Sequence, residues 1–185
     1  MTYVEIYNKK YFKFTLGLFL CLIFRLIPFR PPNVEPILTT QMPFSKYYGP
    51  YIGFSFAFFS IIFFDLITNH IGIWSLITAV IYGLLGFFAY KFFKHKEQPT
   101  RMDYVRFAIL GTLFFDVTTG LTIGPIFFEQ TFLSALSGQI PFTLWHLLGN
   151  ISFAYILSPA IYKLLIKKRK INPKLIIKTI NLKTI

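Results

Sequence analysis

The chain has 185 residues, of which 55% are hydrophobic and 24 are Phe, and it carries a formal net charge of +12. Soluble basic domains that bind nucleic acid do not combine such a charge with so apolar a composition. The basic residues instead flank long apolar stretches. We therefore predict an all-α, polytopic membrane protein that has no nucleic-acid partner.

Six apolar segments predict a compact bundle of six transmembrane helices. The first resembles a signal peptide but lacks a small-x-small cleavage site, so we expect it to be retained as a helix. The second has only about 11 residues and contains Pro36, Gln41 and Pro43, which predicts a short or irregular helix. The segments cover residues 12–28, 34–44, 48–66, 73–93, about 104–119 and 140–165.

Lys and Arg predict the orientation. All of them except Arg25 and Arg30 fall in the N-terminal arm, two internal connections or the C-terminal tail. Six crossings put all these basic clusters on one side, which the positive-inside rule makes the cytoplasmic side for both termini. We predict a multi-pass protein of the cytoplasmic membrane, with a membrane domain at residues 1–166 and a basic cytoplasmic tail at residues 167–185. The tail is expected to touch anionic lipid; the alternative is an arm that docks a partner.

A faint internal repeat places two acidic residues at the ends of parallel helices. The segment around Asp65, Phe-Phe-Asp-Leu-Ile-Thr, resembles the segment around Asp116, Phe-Phe-Asp-Val-Thr-Thr. A helix C-terminus disfavours an anion, so the two carboxylates need a reason to lie there. One interpretation is local closure of each helix by Asp-x-x-Thr or Asn. The other is that both residues frame one polar vestibule at the outer surface.

A proline-rich loop follows the first helix. Pro31, Pro32 and Pro36 exclude a regular helix, while Asn33 and Glu35 supply an amide and a carboxylate. Such a stiff polar loop suits substrate contact. The alternative is an ordinary turn in which Glu35 pairs with Arg25 or Arg30, since an intramembrane charge is costly unless it is paired.

The last predicted helix carries a polar stripe. Thr143, His146 and Asn150 follow one another at intervals of three and four residues, so they share one helical face. The stripe predicts either a ligand-binding face or a set of interhelical hydrogen bonds.

Together these patterns resemble the substrate-specific (S) components of energy-coupling factor transporters, and most resemble their uncharacterised members. The likeness spans roughly residues 12–165. It rests on Arg-x-x-Pro after the first helix, Pro-Asn-Val-Glu-Pro-Ile before the second, the two Phe-Phe-Asp endings, and Ile-Pro-Phe-Thr-Leu-x-His in the last helix.

The resemblance implies six helices, an outward-facing pocket for a vitamin or similar micronutrient, and association with a transmembrane coupling subunit and two cytoplasmic ATPases. It also implies that small residues of the first helix contact the coupling subunit. The nearest equivalents here are Gly17 and Cys21, four residues apart. ATP hydrolysis has to come from a partner in any case, because the sequence contains no G-x-x-x-x-G-K-[ST] phosphate loop.

We therefore predict a substrate-binding transport subunit that is not an enzyme, with no catalytic residue, metal site or cofactor. The acidic residues of the predicted outer side favour a cationic or amine-bearing solute. Two alternatives remain: a small scaffold protein of cell-envelope machinery, and an intramembrane enzyme that uses the two aspartates with the histidine. The predicted substrate-binding residues are Asn33, Glu35, Asp65, Asp116, His146 and Asn150.

Overall fold

A computed structural model describes residues 3–31 and 33–166, with side chains described from residue 10 to residue 165. Over these ranges the chain is all-helical. The predicted basic tail, residues 167–185, lies outside the described residues. The helices are α1 Tyr3–Arg25, α2 Ile37–Tyr48, α3 Pro50–Ile67, α4 Ile73–Phe93, α5 Arg101–Gly120, the five-residue α6 Ile123–Phe127 and α7 Phe132–Ile166.

Four helical stretches are long and apolar enough to cross a membrane, which supports a membrane-embedded protein. They are Pro50–Ile67, Ile73–Phe93, Arg101–Phe127 and Phe132–Leu165. α2 has 12 residues, so it is about 18 Å long and falls short of a hydrocarbon core of about 30 Å. The count of six crossings and the cytoplasmic position of both termini stay predictions.

Two predicted helix starts were wrong: α1 begins at Tyr3 instead of residue 12, and the last helix begins at Phe132 instead of near residue 140. Thr131 caps it, because its side-chain oxygen accepts a hydrogen bond from the backbone N–H of Ser134 at 3.3 Å. The additional turns bring Gln139 onto the same helix as Thr143 and His146.

α2 occupies the centre of the bundle and is short, as predicted, but regular. Every residue from Ile37 to Ser45 is buried, and α2 packs against α1, α3, α4, α5 and α7. Its Gln41 amide donates to the backbone carbonyls of Gly53 at 3.2 Å and Tyr82 at 2.9 Å. This side chain therefore ties α2 to both α3 and α4.

Small residues allow α3 and α4 to approach closely. A Cβ at Gly86 would lie 2.5 Å from the carbonyl carbon of Gly53, a distance at which backbone meets backbone. Ala57 and Ala79 are also buried. These small residues thus serve packing between the two helices, as is usual in membrane proteins.

Two lysines stabilise helix ends on the side of the bundle away from Arg25. Lys13 Nζ donates to the last carbonyls of α7, at Leu164 and Leu165, each at 3.2 Å. Lys46 Nζ donates to the Phe93 carbonyl at 3.0 Å at the end of α4. Cations at helix C-termini are favoured by the helix dipole. Basic residues that are far apart in sequence therefore share one end of the fold, which we name the basic end.

Candidate functional site

A cavity of about 460 Å³ opens at the opposite end, where α1, α3 and α5 finish and α7 passes. We name it the polar cavity. Four of the six predicted substrate-binding residues line it: Asn33, Glu35, Asp65 and His146. The rest of the lining combines cations, hydroxyls and an amide with an apolar wall: Arg25, Arg30, Ile61, Phe64, Thr78, Tyr82, Phe115, Thr119, Gly120, Ile123, Gln139 and Phe142.

Arg25 fixes one wall of the polar cavity. Its Nε lies 2.8 Å from Glu35 Oε2 in an ion pair whose side chains are 9% and 12% exposed. Its Nη1 donates to the Ser60 carbonyl at 2.7 Å, and its guanidinium lies 3.9 Å from the centroid of the Phe64 ring. The predicted alternative, pairing of Glu35 with an arginine, is thus observed, and Glu35 lines the cavity as well.

Contacts with Arg30 and with α7 fix the conformation of the proline-rich loop. Asn33 has a left-handed backbone (φ 62°), a conformation that asparagine tolerates better than most residues. Arg30 Nη1 donates to the Val34 carbonyl at 3.0 Å. A Cβ at Gly149 of α7 would lie 3.0 Å from Val34 Cα, so this glycine lets the loop rest directly on α7.

His146 and Asp116 form a buried pair between α7 and α5. His146 Nδ1 lies 2.7 Å from Asp116 Oδ1, and the side chains are 3% and 2% exposed. The imidazole also makes edge contacts with the rings of Phe115 and Phe142. His146 lines the polar cavity, whereas Asp116 does not. Asp116 thus orients the histidine from behind.

Two atoms of this pair have no hydrogen-bond partner among the described residues: Asp116 Oδ2 and His146 Nε2. When Asp116 is ionised, its Oδ1 accepts the hydrogen bond from the Nδ1–H of His146. The Nε2 edge then accepts from a ligand when the imidazole is neutral, and donates when it is protonated. A buried polar atom without a partner is costly, so Nε2 is a candidate ligand contact.

Asn150, a predicted substrate-binding residue, lies away from the polar cavity. Its side chain is fully buried and donates to Thr112 Oγ1 at 2.8 Å. Two turns further, the Ser158 hydroxyl donates to the Thr39 carbonyl at 2.8 Å. The predicted polar stripe therefore divides into His146 at the cavity and interhelical packing below it.

The two repeated aspartates also differ. Asp65 is half-buried and lines the polar cavity, with no ion pair within the described part of the chain. The hydroxyls of Thr68 and Thr119 make equivalent hydrogen bonds, each 2.8 Å long, to the carbonyls of Phe64 and Phe115. The repeat thus has the local helix-closing bonds in both copies, but only the first copy presents its carboxylate to the cavity.

Several lining residues were missed in the sequence. Gln139 lay in a segment without an assigned helix, although its spacing of four from Thr143 and seven from His146 is a helical pattern. In the structure Gln139 Nε2 donates to Thr143 Oγ1 at 3.0 Å. Tyr82, in the middle of an apolar helix, carried no signal of its own.

Within the described residues there is no group of three or more His, Cys, Asp and Glu side chains that could hold a metal ion. The Asp116–His146 pair resembles the orienting half of a catalytic triad. No described nucleophile is hydrogen-bonded to His146 Nε2, so hydrolysis by a triad has no support from this geometry.

Gly17 and Cys21, the predicted partner-docking residues, face the bundle itself. Cys21 is 2% exposed. A Cβ at Gly17 would lie 3.1 Å from the Phe44 ring and 3.5 Å from Phe56. Both residues therefore contribute to packing of α1 against α2 and α3, and contact with a coupling subunit through them stays a prediction.

Comparison of the chain with family models, with curated proteins and with solved structures gave no match in any of the three.

Proposed function

We propose that this chain is the substrate-binding membrane subunit of an energy-coupling-factor-type uptake transporter, which captures a small micronutrient in the polar cavity. The observation that carries the proposal is the cavity itself. Its volume of about 460 Å³ falls in the range of pockets for small molecules, about 300–1,000 Å³. Polar groups converge in it from the Asn33–Glu35 loop, α3 and α7.

The carboxylate of Asp65 in the lining supports an amine-bearing ligand. Arg25 and Glu35 neutralise each other, and Arg30 keeps its charge, donates to a loop carbonyl and forms no ion pair with Asp65 among the described residues. The carboxylate of Asp65 therefore remains available to a cationic nitrogen. His146 Nε2 supplies a second polar contact, and the rings of Phe64 and Phe142 can pack against an apolar or aromatic portion. The proposed ligand is a small molecule with an amine at one edge and a flat apolar part.

Two features of the chain favour a transporter subunit, driven by partner ATPases, over a complete transporter. The sequence contains no phosphate-binding loop, and carriers that work alone place their ion sites at the bilayer midplane in broken helices. Here the centre is filled by α2, which is an unbroken and buried helix. The proposed partners are a transmembrane coupling subunit and two cytoplasmic ATPases, with the polar cavity facing outward.

The test is affinity purification of a tagged chain in mild detergent, with mass spectrometry of the proteins and small molecules that copurify. We expect a coupling membrane protein, two ATPases and an amine-bearing small molecule. An assembly of cell-envelope proteins, recovered without any bound small molecule, would contradict the proposal and favour a scaffold.

A matched pair of variants tests the role of Asp65. We expect Asp65→Asn to lose the bound molecule while it keeps the protein partners. Glu129→Gln is the control, because Glu129 is exposed and does not line the polar cavity. Retention of the same molecule by Asp65→Asn would refute the role of this carboxylate and leave the transport proposal standing.

A further inference from the structure

A second concave site lies on the lateral surface between α4 and α5, and its lining residues differ from those of the polar cavity. It is a groove of about 370 Å³, lined by four phenylalanines, two leucines, a glycine and the side chain of Lys91. Rings from the two helices meet across it: Phe88 and Phe114 have centroids 5.4 Å apart, as do Phe92 and Phe107. The groove thus has an apolar body and one cationic residue at its rim.

The rim is positively charged without compensation from neighbouring acids. Lys91 lies in the last turn of α4 and lines the groove. Arg106 does not line the groove, but it is exposed and lies one helical turn before Leu110, which does. The nearby carboxylate of Asp103 is already bound by Lys96 at 2.8 Å and by the backbone N–H and hydroxyl of Thr100. Neither Lys91 nor Arg106 forms an ion pair in the part of the chain that the structure describes. The rim is therefore open to an anion.

We propose that this groove binds an anionic phospholipid, with an acyl chain along the aromatic body and the phosphate group at Lys91 and Arg106. α4 and α5 both belong to stretches that are apolar enough to cross a membrane, so lipid is the medium that covers this face. Basic residues at the ends of such stretches lie at headgroup level and attract anionic lipid. The match of an apolar groove with a cationic rim selects an anionic lipid over a zwitterionic one. This inference does not depend on the proposed transport function.

The proposal is tested by native mass spectrometry of the detergent-purified chain, titrated with equal amounts of palmitoyl-oleoyl phosphatidylglycerol and palmitoyl-oleoyl phosphatidylcholine. We expect wild type to bind phosphatidylglycerol preferentially. Lys91→Gln and Arg106→Gln should each weaken its binding about fivefold, which corresponds to about 1 kcal/mol per basic residue. Lys163→Gln is the matched control, because Lys163 is an exposed basic residue on α7 and neither α4 nor α5 carries it, and it does not line the groove.

A second variant tests the apolar body separately from the charge. In Gly111→Leu the new Cβ would make ordinary contacts, 3.5 Å from Leu38 and 3.6 Å from Phe107 of the groove, and we expect the longer side chain to occupy part of the groove. We expect weaker binding of both lipids, with unchanged elution in size-exclusion chromatography as the check on folding. Equal binding of the two lipids by wild type, an unchanged preference in Lys91→Gln, or wild-type lipid binding by a folded Gly111→Leu would overturn the proposal.

Discussion

Replacing His146 by alanine measures what the buried pair with Asp116 contributes to stability. The change removes a partner at 2.7 Å from a carboxylate whose side chain is 2% exposed, and no other described side chain is bonded to Asp116. A buried ionised carboxylate that loses its partner costs about 3–5 kcal/mol, whereas a neutral interhelical hydrogen bond in a membrane protein is worth about 0.6–1.7 kcal/mol. We expect the larger cost, which lowers Tm by about 6–20 °C in a chain of this size.

The assay can use the protein's own cysteine. Cys21 is the only cysteine in the sequence and is 2% exposed, so a thiol-reactive fluorophore reports its exposure during thermal unfolding in detergent. His70→Ala is the matched control, because His70 is exposed, and we expect a change in Tm of no more than about 1–2 °C.

A double variant separates the unpaired charge from the lost packing. Asp116→Asn in the His146→Ala background removes the stranded carboxylate, so we expect the double variant to be more stable than His146→Ala alone. The reasoning fails if the double variant is as unstable as the single one, since the cost would then come from the cavity left by the imidazole.

Three further predictions concern the supports of the polar cavity. Gly149→Ala places a Cβ 3.0 Å from Val34 Cα, so we expect a loss of stability of about 1–3 kcal/mol in the same unfolding assay. The variant should also retain less of the copurified small molecule. An unchanged Tm would show that the loop moves aside without cost. Gln41→Leu removes two hydrogen bonds to backbone carbonyls, which should cost about 1–3 kcal/mol; a Tm equal to that of wild type would contradict the tying role of this amide. Arg25→Met leaves Glu35 unpaired in a site where both side chains are largely buried. We therefore expect Arg25→Met to be less stable than the Arg25→Met, Glu35→Gln double variant. The opposite order would show that the unpaired carboxylate does not destabilise the fold.

The helices could be predicted where apolar runs have clear ends. α4 was predicted at residues 73–93 and is observed at Ile73–Phe93, and α3 differs by one or two residues at each end. The predicted start of α7 was eight residues too late. Its first turns carry exposed polar residues and a glycine, so their hydropathy is too low to indicate a membrane-spanning helix. The cap formed by Thr131 and Ser134 was the local signal for the true start.

The candidate site was predictable as a set of residue types at one end of the bundle, and less so in its pairings. Helical spacing placed His146 and Asn150 on one face, but only the packing of α5 against α7 shows that Asp116 is the partner of His146 and that Thr112 is the partner of Asn150. Contacts between residues 30 or more positions apart depend on how helices rotate about their axes. A single sequence does not contain that information.

The enclosed position of α2 has a consequence for how the chain enters the membrane. Its segment includes Thr39, Thr40 and Gln41, and it is buried on all sides against five other helices. A segment that is short and partly polar is a poor candidate for insertion into lipid on its own. We expect α2 to reach its place only after α3, α4 and α5 have been synthesised, with the Ser158–Thr39 contact of α7 closing over it last. We therefore expect assembly of this protein to end with the docking of α7, and a chain truncated before α7 to leave its centre open to lipid.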